Sequence, residues 1–412
     1  MLDKYFLVKH IFFKILKCNS FLIKINSLYK DYITIYRRNV LINFYKKRVD
    51  LSEISYSRTK IITNFKVGIK NQINFDTSDK LRVFWVGTDE SQDYSGFLQA
   101  LNKLFYVVNF TNSDGTYGLK KNSGINSPDS IKKLREVNGN ALIEQLDRQI
   151  NNSGNFDLLI GQMLGNNISN SSLDYVKRKG TKIINISMDD RLPELWGKCG
   201  EIRLGSIGLG PQLDLVLTTS PETCEWYAVE DCSAIYWPLG SDYNIFGSDN
   251  LYDRDIDVLF IGNRYGVRGE LVNYLMKNNI NVECYGSGWP NGYADVEKMR
   301  DISKRAKIIL GIGTIGHCKN LYTLKLRDFD GPMSGAMYLT HRNKDLCELY
   351  IEGLEVECYS TFQEAKNKIL YYLNNEKERL FIAKNGQTKV LNFYTWDKRL
   401  KDTFFELGFL DK

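Results

Sequence analysis
The sequence predicts an α/β protein in which two tandem doubly wound, Rossmann-like domains face a cleft behind a basic helical extension. Three observations carry that expectation. A chain of 412 residues, 43% hydrophobic and 25% charged, is long enough for two or three globular cores. From Leu81 onward, short apolar runs alternate with amphipathic stretches, the pattern of a parallel sheet covered on both faces. After a turn-rich linker at 238–255 the same series begins again. Aromatic residues at 13% and only 7 prolines exclude a low-complexity disordered chain.

The extension comes first. Residues 1–60 hold thirteen basic and four acidic side chains, a net +9, so the rest of the chain sums to −3 of the total +6. Its apolar runs are broken by Lys9, His10 and Lys14, which excludes a membrane-crossing helix and a secretory signal. At about 100° per residue, Lys9, His10, Lys14, Lys17 and Lys24 fall within roughly 140° of arc, opposite Leu7, Ile11, Phe12, Ile15 and Leu22. Two readings fit: a helix lying on an anionic membrane surface, or one docked on the protein's own body or on a second subunit.

The first sheet follows, with strands expected at 82–86, 106–110, 156–160, 182–186, 213–218 and 234–237, and helices near 95–103, 129–152, 171–179 and 221–229. The second has strands at 256–261, 282–285, 307–311 and 336–340, with helices near 268–278, 296–306, 361–374 and 376–390. The domains are thus an extension at 1–80, an N-terminal domain at 81–240 and a C-terminal domain at 241–394. A last helix at 395–412 can return across the joint. In such sheets ligands sit at the carboxyl ends of the strands, here in the cleft between domains.

The eight cysteines contain no C-x2-C pair and read as reduced thiols of a cytoplasmic protein, and three histidines are too few for a His-rich metal site. The chemistry concentrates in the second domain. Its first strand leads into FIGNRYGVRGE, where Gly262, Gly266 and Gly269 free the backbone and Arg264 and Arg268 bring positive charge to a helix N-terminus, a site suited to phosphate. The spacing is not G-x-G-x-x-G and no acidic residue closes the next strand, which disfavours NAD. That strand ends in ECYGSGWP, where Tyr285 and Trp289, flanking Gly286, can wall a flat ring or belong to the core. In LYTLKLRDFDGPMSGAMYLT, Lys325 and Arg327 suit a diphosphate, and Asp330 can accept two hydroxyl hydrogens from a ribose. A nucleoside diphosphate is the economical ligand.

On DVLFIGNRYGVRGELVNYL, VECYGSGWP, LKLRDFDGPMSGAMYLT with ELYIEGLEVECY, and IAKNGQTKVLNFYTWDKRL, residues 256–400 resemble the C-terminal half of the CgeB-like, spore-maturation-type glycosyltransferases, a branch of the GT-B superfamily (glycosyl transferases group 1). Residues 81–246 resemble its N-terminal half more loosely, through FWVG, INISMDD and DLVLTTSPETCEWY. The resemblance implies metal-independent transfer of a sugar from a nucleotide sugar to a glycan, lipid or protein acceptor. It places Asp330 where the family has a ribose-binding carboxylate, usually Glu, and Tyr322 where related enzymes carry a second Glu. It makes Arg264, Arg268, Lys325 and Arg327 the counter-charges to the leaving diphosphate, with His317 in a Gly-rich loop nearby.

The first domain has no histidine, so a carboxylate must do any acid–base work there. Asp89 and Asp93 follow its first strand, and Asp189 and Asp190 its fourth. The alternative for the Asp189–Asp190 pair is a helix cap. His341 is expected at the surface or at a cap. No cofactor beyond the nucleotide-sugar co-substrate is expected, nor a nucleic-acid partner, since the body is net acidic. The expected location is the cytoplasm, with attachment to the inner membrane surface through residues 1–60. Two other readings keep the fold: a sugar-nucleotide epimerase or phosphorylase, and a binding protein that has lost activity.

Overall fold
The computed structural model describes residues 20–52, 56–70, 80–121, 127–249, 253–316 and 318–410. The N-terminal sheet contains β1 (Arg82–Val86), β2 (Tyr106–Asn109), β3 (Leu158–Gly161), β4 (Lys182–Ser187), β5 (Leu215–Thr218) and β6 (Ala234–Tyr236). All pairs are parallel, in the order β2-β1-β3-β4-β5-β6. β1 shows why this sequence makes a buried strand. Val83 and Trp85 enter one core while Phe84 and Val86 enter the other, so period-2 alternation along the apolar run after Arg82 fills both faces.

Helices α3 (Glu90–Asp93), α4 (Phe97–Leu104), α5 (Pro128–Ser153), α6 (Asn170–Arg178) and α7 (Thr223–Val229) belong to this half. α5 starts at Ser127, whose hydroxyl accepts from Ser130 N with Pro128 at the first position. A short α8 (Tyr243–Phe246) lies in the linker.

The C-terminal sheet has β7 (Ile256–Ile261), β8 (Val282–Tyr285), β9 (Ala306–Leu310), β10 (Met337–His341) and β11 (Glu357–Tyr359), all parallel, in the order β8-β7-β9-β10-β11. Its helices are α9 (Val267–Lys277), α10 (Val296–Arg305), α11 (Arg327–Met333), α12 (Lys344–Leu349), α13 (Phe362–Asn374) and α14 (Glu376–Phe393). In each sheet the chain steps outward to its second strand and then back past the first. This creates switch points between β1 and β3 and between β7 and β9, and the two crevices open into one cleft.

One apolar cluster runs from Val83 and Trp85 to Leu259 and Tyr338, so the two halves share a core at their junction. α15 (Trp396–Leu407) returns to the first half. Trp396 packs edge-on against Phe97 at 5.2 Å, Phe404 against Phe105 at 4.7 Å, and Trp237 Nε1 donates to Thr403 Oγ1 at 2.9 Å.

The extension is stitched to the body. In the long helix preceding α3, which we number α1 (Ser20–Ser52), Tyr45 is buried and stacks on Trp226 at 5.1 Å, and its hydroxyl donates to Glu230 at 2.9 Å. Arg38 is buried too; it donates to Arg191 O at 2.9 Å and pairs with Glu222 at 2.5 Å. Asp31 accepts from Lys319 N in the C-terminal half at 2.9 Å. In α2 (Arg58–Lys70), Arg58 donates to Tyr236 O at 3.1 Å and pairs with Glu406. One side of residues 29–52 and of residues 56–68 is therefore docked on the body, and removing residues 1–60 would uncover Trp226 and Arg191. The expected basic arc at Lys9, His10, Lys14 and Lys17 lies outside the described residues. No helix among those described is long and apolar enough to cross a membrane.

His341 departs from expectation. It ends β10, an interior strand of the sheet, and is 5% exposed against the ring of Tyr359 at 4.4 Å. Burial pushes its pKa down to about 4, which keeps it neutral.

Candidate active site
A cleft of about 310 Å³ lies between the halves, lined from one side by Asp89, Gln92 and Asp189 and from the other by Gly262, Lys325, Arg327 and Asp330. The β7 and β8 turns meet on its C-terminal face. Gly262 has φ +150°, and a Cβ there would lie 2.7 Å from Arg327 Nη1 and 3.4 Å from Arg268 Nη1. Gly286 has φ +130°, and a Cβ there would lie 2.5 Å from the Gly262 carbonyl carbon. Only glycine lets these two turns stack beneath the two guanidinium groups.

Arg268, in the first turn of α9, is 6% exposed, donates to Asn263 O at 3.3 Å and lies over the Tyr265 ring at 4.2 Å. Arg327 opens α11, donates to Ile261 O at 2.7 Å and to Ile312 O at 3.1 Å, and lies over Phe260 at 5.1 Å. Their contacts among the described residues are carbonyls and rings, not carboxylates, and the Nε of each is buried without a partner. Burial and the neighbouring charge of Arg327 push the Arg268 pKa down to about 10. A buried and a half-buried cation with no carboxylate partner among the described residues form a site that an anion stabilises.

Asp330 follows one turn along α11 and accepts from Ser241 Oγ of the linker at 2.7 Å. Its carboxyl is enclosed at the back of the cleft, and burial raises its pKa well above the usual carboxylate range. Lys325 reaches across the cleft to Asp189 at 2.9 Å, while its backbone N–H donates to the buried Asp328 at 2.6 Å.

Several expected residues stand elsewhere. Arg264 is exposed on the outside of its loop, over the Trp289 ring at 5.1 Å, and does not line the cleft. Trp289 is buried, and its Nε1 donates to Gly262 O at 2.7 Å, so it supports the Gly262 turn. Tyr285 is buried in the shared core with its hydroxyl on Glu283. The aromatic residues that do line the cleft are the buried Phe246 and Tyr293, the latter 62% exposed, with its hydroxyl on Ser91 of the other half. His317 lies outside the described residues. Tyr322 offers the site no carboxylate; its carbonyl accepts from Arg191 at 2.9 Å.

On the N-terminal face the four aspartates divide. Asp89 and Asp189 line the cleft. Asp89 also accepts from Gln92 N at 3.2 Å as the cap of α3. Asp93 turns inward, accepting from Tyr117 at 2.8 Å and Gln162 at 3.1 Å beside a small cavity of about 20 Å³, and burial pushes its pKa up to about 7. Asp190 is 1% exposed and accepts from Ser187 at 2.6 Å, Thr218 at 2.7 Å and Tyr227 at 3.0 Å, a hub of the domain core and not a helix cap. Beside the cleft, a second pocket of about 390 Å³ shares Met188 and Asp189 and is lined by Thr88, Lys121, Gln162 and Asn166.

Residues 268–404 match the family model described as Glycosyl transferase-like. Solved structures with the same architecture include sucrose-phosphate synthase (tll1590) from Thermosynechococcus elongatus, at 10% identity over 79% of this chain and 98% of that one, TM-score 0.55. A glycosyltransferase from Rickettsia africae aligns at 10% identity over 80% and 98%, TM-score 0.51. Anabaena Alr3699/HepE, crystallised with UDP and glucose, aligns at 11% identity over 79% and 99%, TM-score 0.50. The fold is GT-B. No curated protein matches this chain. In GT-B terms, Arg327 and Asp330 line one face of the cleft, with Arg268 behind Gly262, and Asp89 and Asp189 line the other.

Sequence reading missed Ser241 and Tyr293. Both act across the domain joint, where no local spacing signals them. Among the described residues, one metal-ligating cluster is present, Cys347 with Glu352 and Cys358, but it is not part of the cleft and Glu352 already pairs with Arg342 and Lys368.

Proposed function
We propose that this protein is a glycosyltransferase of the CgeB-like type. It moves a sugar from a nucleotide sugar held by residues 241–394 to a hydroxyl acceptor held by residues 81–240, without a divalent ion. The observation that carries the reading is the pair of guanidinium groups of the buried Arg268 and the half-buried Arg327, which converge at Gly262 next to Asp330 and have no carboxylate partner among the described residues. A nucleoside diphosphate supplies what that arrangement lacks: phosphate oxygens for the arginines, and ribose hydroxyls for the Asp330 carboxyl. As the bond from sugar to phosphate breaks, negative charge grows on the diphosphate, and the preorganised guanidinium groups stabilise it more in the transition state than in the ground state. Asp189 or Asp89 then takes the acceptor proton; Asp189, paired with Lys325, sits where the two faces meet. The amide-lined pocket beside Asp189 suits a hydroxyl-rich acceptor. The UDP and glucose in the HepE crystals support a sugar nucleotide as donor.

The test is a panel of nucleotide sugars, with and without candidate acceptors, scored for nucleoside diphosphate release in EDTA. Acceptor-dependent release unaffected by the chelator is expected. Conversion of the sugar nucleotide without release would indicate an epimerase, and activity restored only by manganese or magnesium would refute metal independence.

A further inference from the structure
The outward face of α1 carries an apolar stripe. Tyr29, Tyr32, Tyr36, Val40, Phe44 and Leu51 are 51–72% exposed, and they recur at steps of three, four or seven positions, which sets them along one side of the helix. At about 1.5 Å per residue the stripe runs for roughly 33 Å. The opposite side is the one that docks on the body, through the buried Arg38 and Tyr45 and the partly buried Leu41 and Ile42. Among the exposed residues of 29–51 are Lys30, Arg37, Lys46 and Lys47, with Asp50 the one carboxylate; Asp31, partly buried, is engaged by Lys319.

We infer that this face of α1 rests on an anionic membrane surface, with its tyrosine and phenylalanine rings at the level of the headgroups and its lysines and arginine on lipid phosphates. Aromatic rings with an apolar body suit that interface. The charge argues against the other simple occupant, a second copy of the chain. A two-fold contact along the stripe would bring four cations against the same four. An anionic bilayer meets both the apolar and the cationic part of the face, and it needs no crossing helix. The contact is separate from the cleft, so it holds or fails independently of glycosyl transfer.

The experiment uses the full chain with phosphatidylcholine vesicles, with and without phosphatidylglycerol, read by sedimentation. Binding is expected to the phosphatidylglycerol vesicles alone and to weaken with salt. Tyr32→Ser/Tyr36→Ser/Phe44→Ser should lose roughly tenfold or more in vesicle affinity, with an unchanged melting temperature because these side chains are exposed. Lys46→Gln/Lys47→Gln should lose about as much. Undiminished binding by the triple variant would move the contact elsewhere, residues 1–28 included, and overturn the inference. So would a parent protein that ignores the vesicles and forms concentration-dependent dimers that the triple variant dissolves. Should the triple variant melt early, the lysine variant decides in the same way.

Discussion

The two faces of the cleft follow the same strand–helix plan but treat buried charge in opposite ways. On the C-terminal face Arg268 and Arg327 keep buried Nε groups without partners. On the N-terminal face Asp190 is fully served by Ser187, Thr218 and Tyr227, and Asp93 by Tyr117 and Gln162. An uncompensated buried charge marks a place for a ligand, whereas a hydrogen-bonded one marks architecture. Depth and a shifted pKa do not separate the two cases; the partner list does.

Breaking the ligand side should cost activity. Arg327→Ala should lower kcat/KM by about a thousandfold, the loss of two charge-assisted contacts to the diphosphate. Arg327→Lys should recover only part of it, because an ammonium lacks the planar fork. The check is diphosphate release alongside a thermal melt, and an active Arg327→Ala protein would break the comparison.

Breaking the architectural side should cost stability. Asp190→Ala strands three buried hydroxyls and should destabilise the protein by roughly 3–5 kcal/mol in denaturant unfolding. Its neighbour Asp189 is partly exposed, so Asp189→Ala should cost about 1 kcal/mol or less in folding while slowing turnover by about a hundredfold. Equal stability losses at the two positions would erase the distinction.

Asp330 lies between the extremes, half-buried and facing the cleft. Asp330→Ala should raise the donor KM by about ten- to a hundredfold with little change in kcat, and Asp330→Glu should remain active. An Asp330→Ala protein with unaltered donor affinity would remove ribose recognition from this position.

The smallest effect concerns Asp93 and pH. Its folded pKa, about 7, lies above the ordinary 3.8, so the folded state holds the proton more tightly. The stability it contributes is complete below about pH 4 and is lost as pH rises to about 7. Asp93→Asn should flatten that slope and be more stable than the parent at pH 8 by on the order of 2 kcal/mol. Denaturant unfolding at pH 5 and pH 8 checks it, and an unchanged slope would contradict the burial argument.

Much of the fold was legible because strands buried on both faces are continuous apolar runs. β1 was expected at its observed limits, and β9 within one residue. The C-terminal face was legible because one short helix, α11, gathers Arg327 and Asp330 just after Lys325. The N-terminal face was not. Asp189 and Asp190 are neighbours in sequence, yet one turns to the cleft and the other to the core, a choice made by tertiary partners such as Tyr227. The interdomain contacts of Asp330 with Ser241, Lys325 with Asp189 and Tyr293 with Ser91 join distant segments and leave no local pattern. The docking of the extension was not legible for a related reason: α1 has two faces, and its docked face depends on Trp226 and Glu230, which lie far along the chain.

The central claim is that Arg268 and Arg327 form a diphosphate site. Calorimetric titration of uridine, guanosine, adenosine and cytidine diphosphates, each against its nucleoside, tests it most directly. For whichever base binds, the diphosphate should bind about a hundredfold more tightly than the nucleoside or better, and Arg268→Ala and Arg327→Ala should each remove most of that advantage. Equal affinity for nucleoside and diphosphate, or an advantage that survives both substitutions, would contradict it.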